Sequence, residues 1–215
     1  MRGARDVVVP TGPASVEGTL AIPSDAVGVV LFAHGSGSSR HSPRNLYVAG
    51  ELNRASLATL LIDLLTPDEE QVDLRTGELR FDIALLAERL VGATRWLNEE
   101  RDTAHLAVGY FGASTGAGAA LVAATEIPEA VGAIVSRGGR PDLAGDALEK
   151  VRTPTLLIVG GEDVSVIGMN RSAQDRLSCD TRLEIVDGAS HLFEEPGTLE
   201  RVAALARDWF VAHFG

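Results

Sequence analysis

From Val27 to Val186, short unbroken apolar runs alternate with stretches in which apolar residues recur every three or four positions. This alternation restricts the fold more than any other feature. Val27 to Ala33, Ala58 to Leu64, His105 to Phe111, Val131 to Val135, Thr155 to Val159 and Arg182 to Val186 read as strands, because a strand covered on both faces needs no polar alternation. Between them Arg44 to Ser56, Asp82 to Glu100, the segment after Ser114 and Asp142 to Lys150 read as helices, and Thr198 to His213 closes the chain. In the Asp82 helix, Ile83, Leu86, Leu90, Ala93 and Leu97 form one stripe, the spacing of a helix with one covered face. Strand–helix–strand units in series call for right-handed crossovers. The expected fold is therefore α/β: a mostly parallel central sheet with helices on both faces. Two earlier strands, Val7 to Pro10 and Val16 to Ile22, flank the turn residues Thr11-Gly12-Pro13 and predict a leading hairpin. With 215 residues, 45% of them apolar, and no internal repeat or low-complexity linker, a single domain over 1–215 is expected.

Charge and composition exclude several classes of function. Thirty acidic against 19 basic residues give a formal charge of −11, which disfavours the phosphate backbone of nucleic acids. The apolar runs are far shorter than the roughly 20 residues of a membrane span, and the first residues carry no apolar leader, so a cytoplasmic protein without membrane contact is expected. Cys179 is the only cysteine, which rules out an internal disulfide and gives no zinc pattern. No metal or cofactor is expected.

Ligands of such sheets bind at the carboxyl ends of the strands, so the chemistry is expected in the loops there. After the strand ending at Phe111 stands Gly112-Ala113-Ser114-Thr115-Gly116, which fits the sharp strand-to-helix turn that exposes a nucleophilic serine. A serine hydroxyl needs a base within reach and a third group to orient that base. His191, in Gly188-Ala189-Ser190-His191, and Asp163, in Gly161-Glu162-Asp163, follow the last two strands in the order Ser, Asp, His. Glu162 is the competing acid, and Asp187 reads as a turn residue. Of the other histidines, His34 and His41 lie in a loop at the same edge, whereas His105 and His213 read as structural or solvated. The loop His34-Gly35-Ser36-Gly37 follows the first parallel strand. Its Ser36 amide, with the amide of Thr115, would stabilise negative charge on a carbonyl oxygen. The glycine spacing fits neither phosphate-binding fingerprint.

These four motifs, in this order, resemble the α/β-hydrolase superfamily and within it the compact dienelactone hydrolase-like branch, over nearly the whole chain from about Val7 to Phe214. The resemblance implies a Ser114–Asp163–His191 triad, an acyl-enzyme intermediate, and an oxyanion hole formed by the Ser36 and Thr115 amides. It departs from dienelactone hydrolases proper, whose nucleophile is cysteine. The short spacing between the Val131 and Thr155 strands leaves no room for a large helical cap. Thr66 to Arg80, rich in charge, is either a partial cover or a solvated loop.

Arginines cluster in two loops at the catalytic edge: Arg40 and Arg44, then Arg137 and Arg140. Arg40, Arg137 and Arg140 are the candidate substrate-binding residues, for a small-molecule substrate carrying a carboxylate or phosphate. The competing reading is surface arginines paired with neighbours such as Asp142. The expected activity is hydrolysis of a small carboxylic ester, thioester or lactone; the alternatives are acyl transfer by the same triad and a non-catalytic ligand-binding protein on this fold.

Overall fold

The computed structural model describes residues 3–214. The expected domain bounds also take in Met1, Arg2 and Gly215, which lie outside the described residues. Eight strands form one sheet: β1 (Arg5–Pro10), β2 (Ser15–Ala21), β3 (Gly28–Ala33), β4 (Leu57–Ile62), β5 (Ala107–Ala113), β6 (Ala133–Arg137), β7 (Thr155–Gly160) and β8 (Thr181–Val186). Their order is β1-β2-β4-β3-β5-β6-β7-β8. The first two strands pair antiparallel as the expected hairpin, β2 pairs antiparallel with β4, and every later pairing is parallel.

Helices cover both faces. On one, α1 (Pro43–Arg54) and α6 (Thr198–Phe214) press Val48, Leu52, Val202 and Phe210 against Val30, Phe111, Val135 and Ile158. On the other, α3 (Ile83–Glu99) and α4 (Thr115–Glu126) pack Leu86, Leu90, Ala119 and Ala120 against Val29, Leu31, Tyr110 and Ile134. Every residue of β3, β4 and β7 is buried, which is why these runs are unbroken in sequence. Caps set the helix starts. Ser42 accepts from the Asn45 amide ahead of Pro43, and Asp82 accepts from the Leu85 amide at 3.0 Å, each satisfying a donor that the first turn leaves open.

The structure departs from the sequence reading in four places. Strand β6 begins and ends two residues later than Val131 to Val135, so Ser136 and Arg137 lie inside the sheet opposite Gly112 and Ala113 rather than in a loop; their polar side chains disguised the strand. His105 precedes β5 instead of starting it. Helix α5 (Val164–Arg176) was not expected: only Val166, Asn170 and Ala173 of it are buried, too few apolar positions to make a stripe. The segment Thr66 to Arg80 is ordered rather than a solvated loop. Its helix α2 (Pro67–Thr76) has a capping box between Thr66 and Glu69, and a 3₁₀ turn follows at Leu79–Phe81. The ion pair Asp73–Arg80 at 2.6 Å closes the segment on itself, and Glu69–Arg89, also at 2.6 Å, fastens it to α3. Among the described residues, no helix is long and apolar enough to cross a membrane.

Candidate active site

Ser114 stands between the end of β5 and the first residue of α4 with φ 49° and ψ −120°. Such a conformation costs a non-glycine residue about 1–3 kcal/mol, and the surroundings enforce it. The Ser114 amide donates to the Arg137 carbonyl at 3.3 Å, and the Ser114 carbonyl accepts from the Ala117 and Arg140 amides at 3.1 and 3.0 Å. The flanking glycines are required by close approach: a methyl group on Gly112 would lie 2.5 Å from Ala117 Cα, and one on Gly116 would collide with the carbonyl oxygens of Ala33 and His34. Beneath the turn the Phe32 and Phe111 rings pack 4.8 Å apart. Among the described residues, Ser114 shares positive φ outside glycine with only Ser56 and Phe193, and Phe193 belongs to the His191 loop.

Asp163 follows β7 and His191 follows β8, and the parallel pairing of these strands brings the two loops together. His191 Nδ1 donates to Asp163 Oδ2 at 2.6 Å. That bond fixes the tautomer and leaves Nε2 as the proton-accepting nitrogen. The Asp163 side chain is 13% exposed and the ring 40%, so the carboxylate is sheltered while the imidazole is open to solvent. Glu162 uses its amide on the Ala189 carbonyl and makes no bond to the ring. No hydrogen bond joins the Ser114 hydroxyl to His191 in this structure; such contacts commonly tighten only with substrate. The His191 loop has a pin that sequence reasoning missed: the Glu195 carboxylate accepts from the Ser190 amide at 3.0 Å, and this bond holds Glu195 below the ordinary carboxylate range.

Across the turn, Gly35 lies against Ser114 Cβ. Thr115 is the first residue of α4, so its amide has no carbonyl partner within the helix, and the Ser36 amide donates to no acceptor among the described residues. Both residues line a cavity of about 390 Å³, which continues along Ser38, Arg40, Leu64 and Leu65 to Glu70 and Leu74 of α2. Thus α2 walls one side of the cleft. His34, singled out only as a histidine at the right edge, anchors the loop: its Nδ1 donates to the Gly35 carbonyl at 2.9 Å and its Nε2 accepts from the Leu64 amide at 3.0 Å. Burial pushes its pKa down, consistent with a neutral, fixed imidazole. His41 also lines the cavity, whereas His213 Nδ1 donates to the Trp209 carbonyl inside α6.

The candidate substrate-binding arginines separate. Arg40 is bound to Asp63 and, at 2.7 Å, to Glu17. Arg140 forms a two-pronged pair with Asp142 at 2.8 and 2.7 Å. Neither offers a free guanidinium at the rim, because the fold supplies each with a carboxylate. Arg137 differs: it is 8% exposed and bound through Nη2 to Asn45 Oδ1 at 3.3 Å, with Nε and Nη1 buried and without partners.

A mostly parallel eight-stranded sheet, a strained serine after β5, and loops after β7 and β8 joined by an aspartate–histidine bond define an α/β-hydrolase without a large cap. No protein-family model matches the chain. A dienelactone hydrolase from Anabaena variabilis ATCC 29413 is 63% identical, with a TM-score of 0.96 over 98% of this chain and 97% of that one, and the chain belongs to the dienelactone hydrolase family. Est1E from Butyrivibrio proteoclasticus, at 13% identity and TM-score 0.80 over 97% and 98% of the two chains, shares the fold. So does XC6422 from Xanthomonas campestris, described as an a/b serine hydrolase without lid, at 17% identity and TM-score 0.77 over 99% and 95%. Two Mycobacterium tuberculosis proteins, from strains CDC 1551 / Oshkosh and H37Rv, bear the name "Putative phosphoribosyl transferase" and are 59% identical over 208 residues. Those residues are 97% of this chain but 46% of each relative, so the chain spans about half the length of the curated relatives it matches.

Proposed function

We propose that this chain is a serine hydrolase that cleaves a small carboxylic ester, thioester or lactone in two steps through an acyl-enzyme. The observation that carries the reading is the 2.6 Å bond from His191 Nδ1 to Asp163, made at the same sheet edge as the strained Ser114. The bond orients the ring so that Nε2 can take the Ser114 proton as Oγ attacks the carbonyl carbon, and the Asp163 carboxylate stabilises the imidazolium that forms. Negative charge moves to the carbonyl oxygen, where the Ser36 and Thr115 amides meet it; a preorganised donor of this kind contributes about 3–4 kcal/mol to the barrier reduction. His191 returns the proton to the leaving oxygen or sulfur as the tetrahedral intermediate collapses. Water then repeats the cycle on the acyl-serine and releases the acid.

The 390 Å³ cavity beside Ser36 and Thr115 suits a small acyl or leaving group. The name carried by the Mycobacterium tuberculosis relatives is not transferred, since this chain matches under half of each. Intact-mass spectrometry after brief mixing with p-nitrophenyl acetate tests the proposal. Acetylation confined to Ser114, absent from Ser114→Ala and decaying as acetate appears, is the expected result. Turnover without a serine adduct, surviving in Ser114→Ala, would overturn it.

A further inference from the structure

The amino-terminal turn of α1 has an unusual charge arrangement. A helix start favours anions and disfavours cations, yet this first turn holds no acidic residue and places Arg44 immediately after Pro43. The next residue, Asn45, is buried and accepts from Arg137 Nη2. Arg137 Nε, Arg137 Nη1 and Arg44 Nε are all buried donors without partners. Arg44 reaches its own carboxylate, Glu194, only through Nη1 at the surface, at 3.2 Å. Among the described residues no carboxylate bonds to Arg137. A guanidinium buried without a countercharge is strongly unfavourable, and burial together with the neighbouring Arg44 pushes the Arg137 pKa down to about 10, which still leaves it charged at neutral pH. Elsewhere in this acidic chain the sheltered arginines Arg40, Arg80 and Arg89 all end on carboxylates, so the exception marks a place where negative charge is missing.

We propose that Arg137, Arg44 and the first turn of α1 form a binding site for a small oxyanion, a carboxylate or phosphate. The site adjoins the reacting groups: the Arg137 carbonyl holds the Ser114 amide, Gly138 packs against the His191 ring, and Glu194 stands three residues beyond His191. The oxyanion has two possible sources, a free anion that locks the His191 loop against α1, or an anionic group on the substrate itself. The second source rests on the hydrolase reading; the site does not.

The test is thermal unfolding in low-salt buffer titrated with inorganic phosphate, with sodium chloride at matched ionic strength as the control, for the wild type, Arg137→Met and Arg44→Gln. Phosphate at about a hundred times its dissociation constant should raise the wild-type Tm by roughly 5–10 °C beyond the chloride control. Arg137→Met should melt higher than the wild type without phosphate and lose the response, whereas a merely structural arginine would lower Tm on removal. Arg44→Gln should need at least tenfold more phosphate, and it decides the matter if Arg137→Met does not fold. A phosphate shift no larger than that of chloride, or one that survives both substitutions, would overturn the site. Given a shift, the kinetic arm assigns the source: phosphate competing with an ester, and preference for esters bearing a carboxylate, identify a substrate group, while stabilisation without competition identifies a free anion. Because melting requires no turnover, failure of the site and failure of the hydrolase reading can be told apart.

Discussion

On the His34 side of Ser114, Arg40, Arg80 and Arg89 each end on a carboxylate, and the loop is fastened by the buried His34. On the His191 side, Arg137 lies buried without one, beneath a loop that carries the strained Phe193 and depends on Glu195 for its shape. The two flanks draw on the same residue types, arginine, histidine and acid. What separates them is which side chain the fold brings opposite which: Asp63 lies 23 positions from Arg40 and Glu69 lies 20 from Arg89, whereas no acid is brought to Arg137. On the first flank each sheltered guanidinium has a countercharge, and in the proposed mechanism that flank positions; the second lacks one, and in the proposed mechanism it moves protons and receives an anion.

The division predicts effects of decreasing size. Ser114→Ala, where the flanks meet, should lower kcat/KM for a small ester by about 10⁴–10⁶-fold. Asp163→Asn on the proton-moving flank should cost about 10³–10⁴-fold in kcat, while His34→Ala on the positioning flank should cost only about 10–100-fold, since it loosens a donor rather than removing one. Comparable losses at His34 and Asp163 would break the division. The same pair of flanks should respond with opposite sign to one kind of substitution. Arg89→Met strips Glu69 of its buried partner and should lower stability by about 1–3 kcal/mol, whereas Arg137→Met removes an unpaired charge and should raise Tm by about 2–4 °C; calorimetry on the two variants decides.

Smaller effects sharpen the picture. Because the His34 pKa is lowered in the folded chain, the unfolded chain binds more protons below pH 6.5. Its contribution to stability is therefore complete above that pH and declines as pH falls toward the folded value. Unfolding followed between pH 7 and 5 should show this slope in the wild type and a shallower one in His34→Ala. Arg140→Ala, which breaks only the pair with Asp142 at the rim, should change stability by no more than about 0.5 kcal/mol.

How far the sequence disclosed this arrangement follows from the physics of each signal. Strands such as β3 and β4 were legible because double coverage writes itself as an unbroken apolar run. Ser114, Asp163 and His191 were legible as candidates because sharp turns at strand ends need small neighbours, and those neighbours stand in the sequence. Helix α5 was hidden because a helix that buries three residues needs no apolar stripe. The last residues of β6 were hidden because Ser136 and Arg137 are buried polar residues, and a rule that equates buried with apolar passes over them. Arginine pairing was the least legible of all. Arg40 and Arg137 look alike in sequence, and only the spatial position of Asp63 separates them.

The proposed mechanism requires Ser114 to be an activated nucleophile. Its most direct test is mass spectrometry of the folded protein after a fluorophosphonate probe, with Ser114→Ala and His191→Ala alongside. Labelling at Ser114 in the wild type and in neither variant is the predicted result; well-folded wild-type protein that takes no label at Ser114 would contradict it.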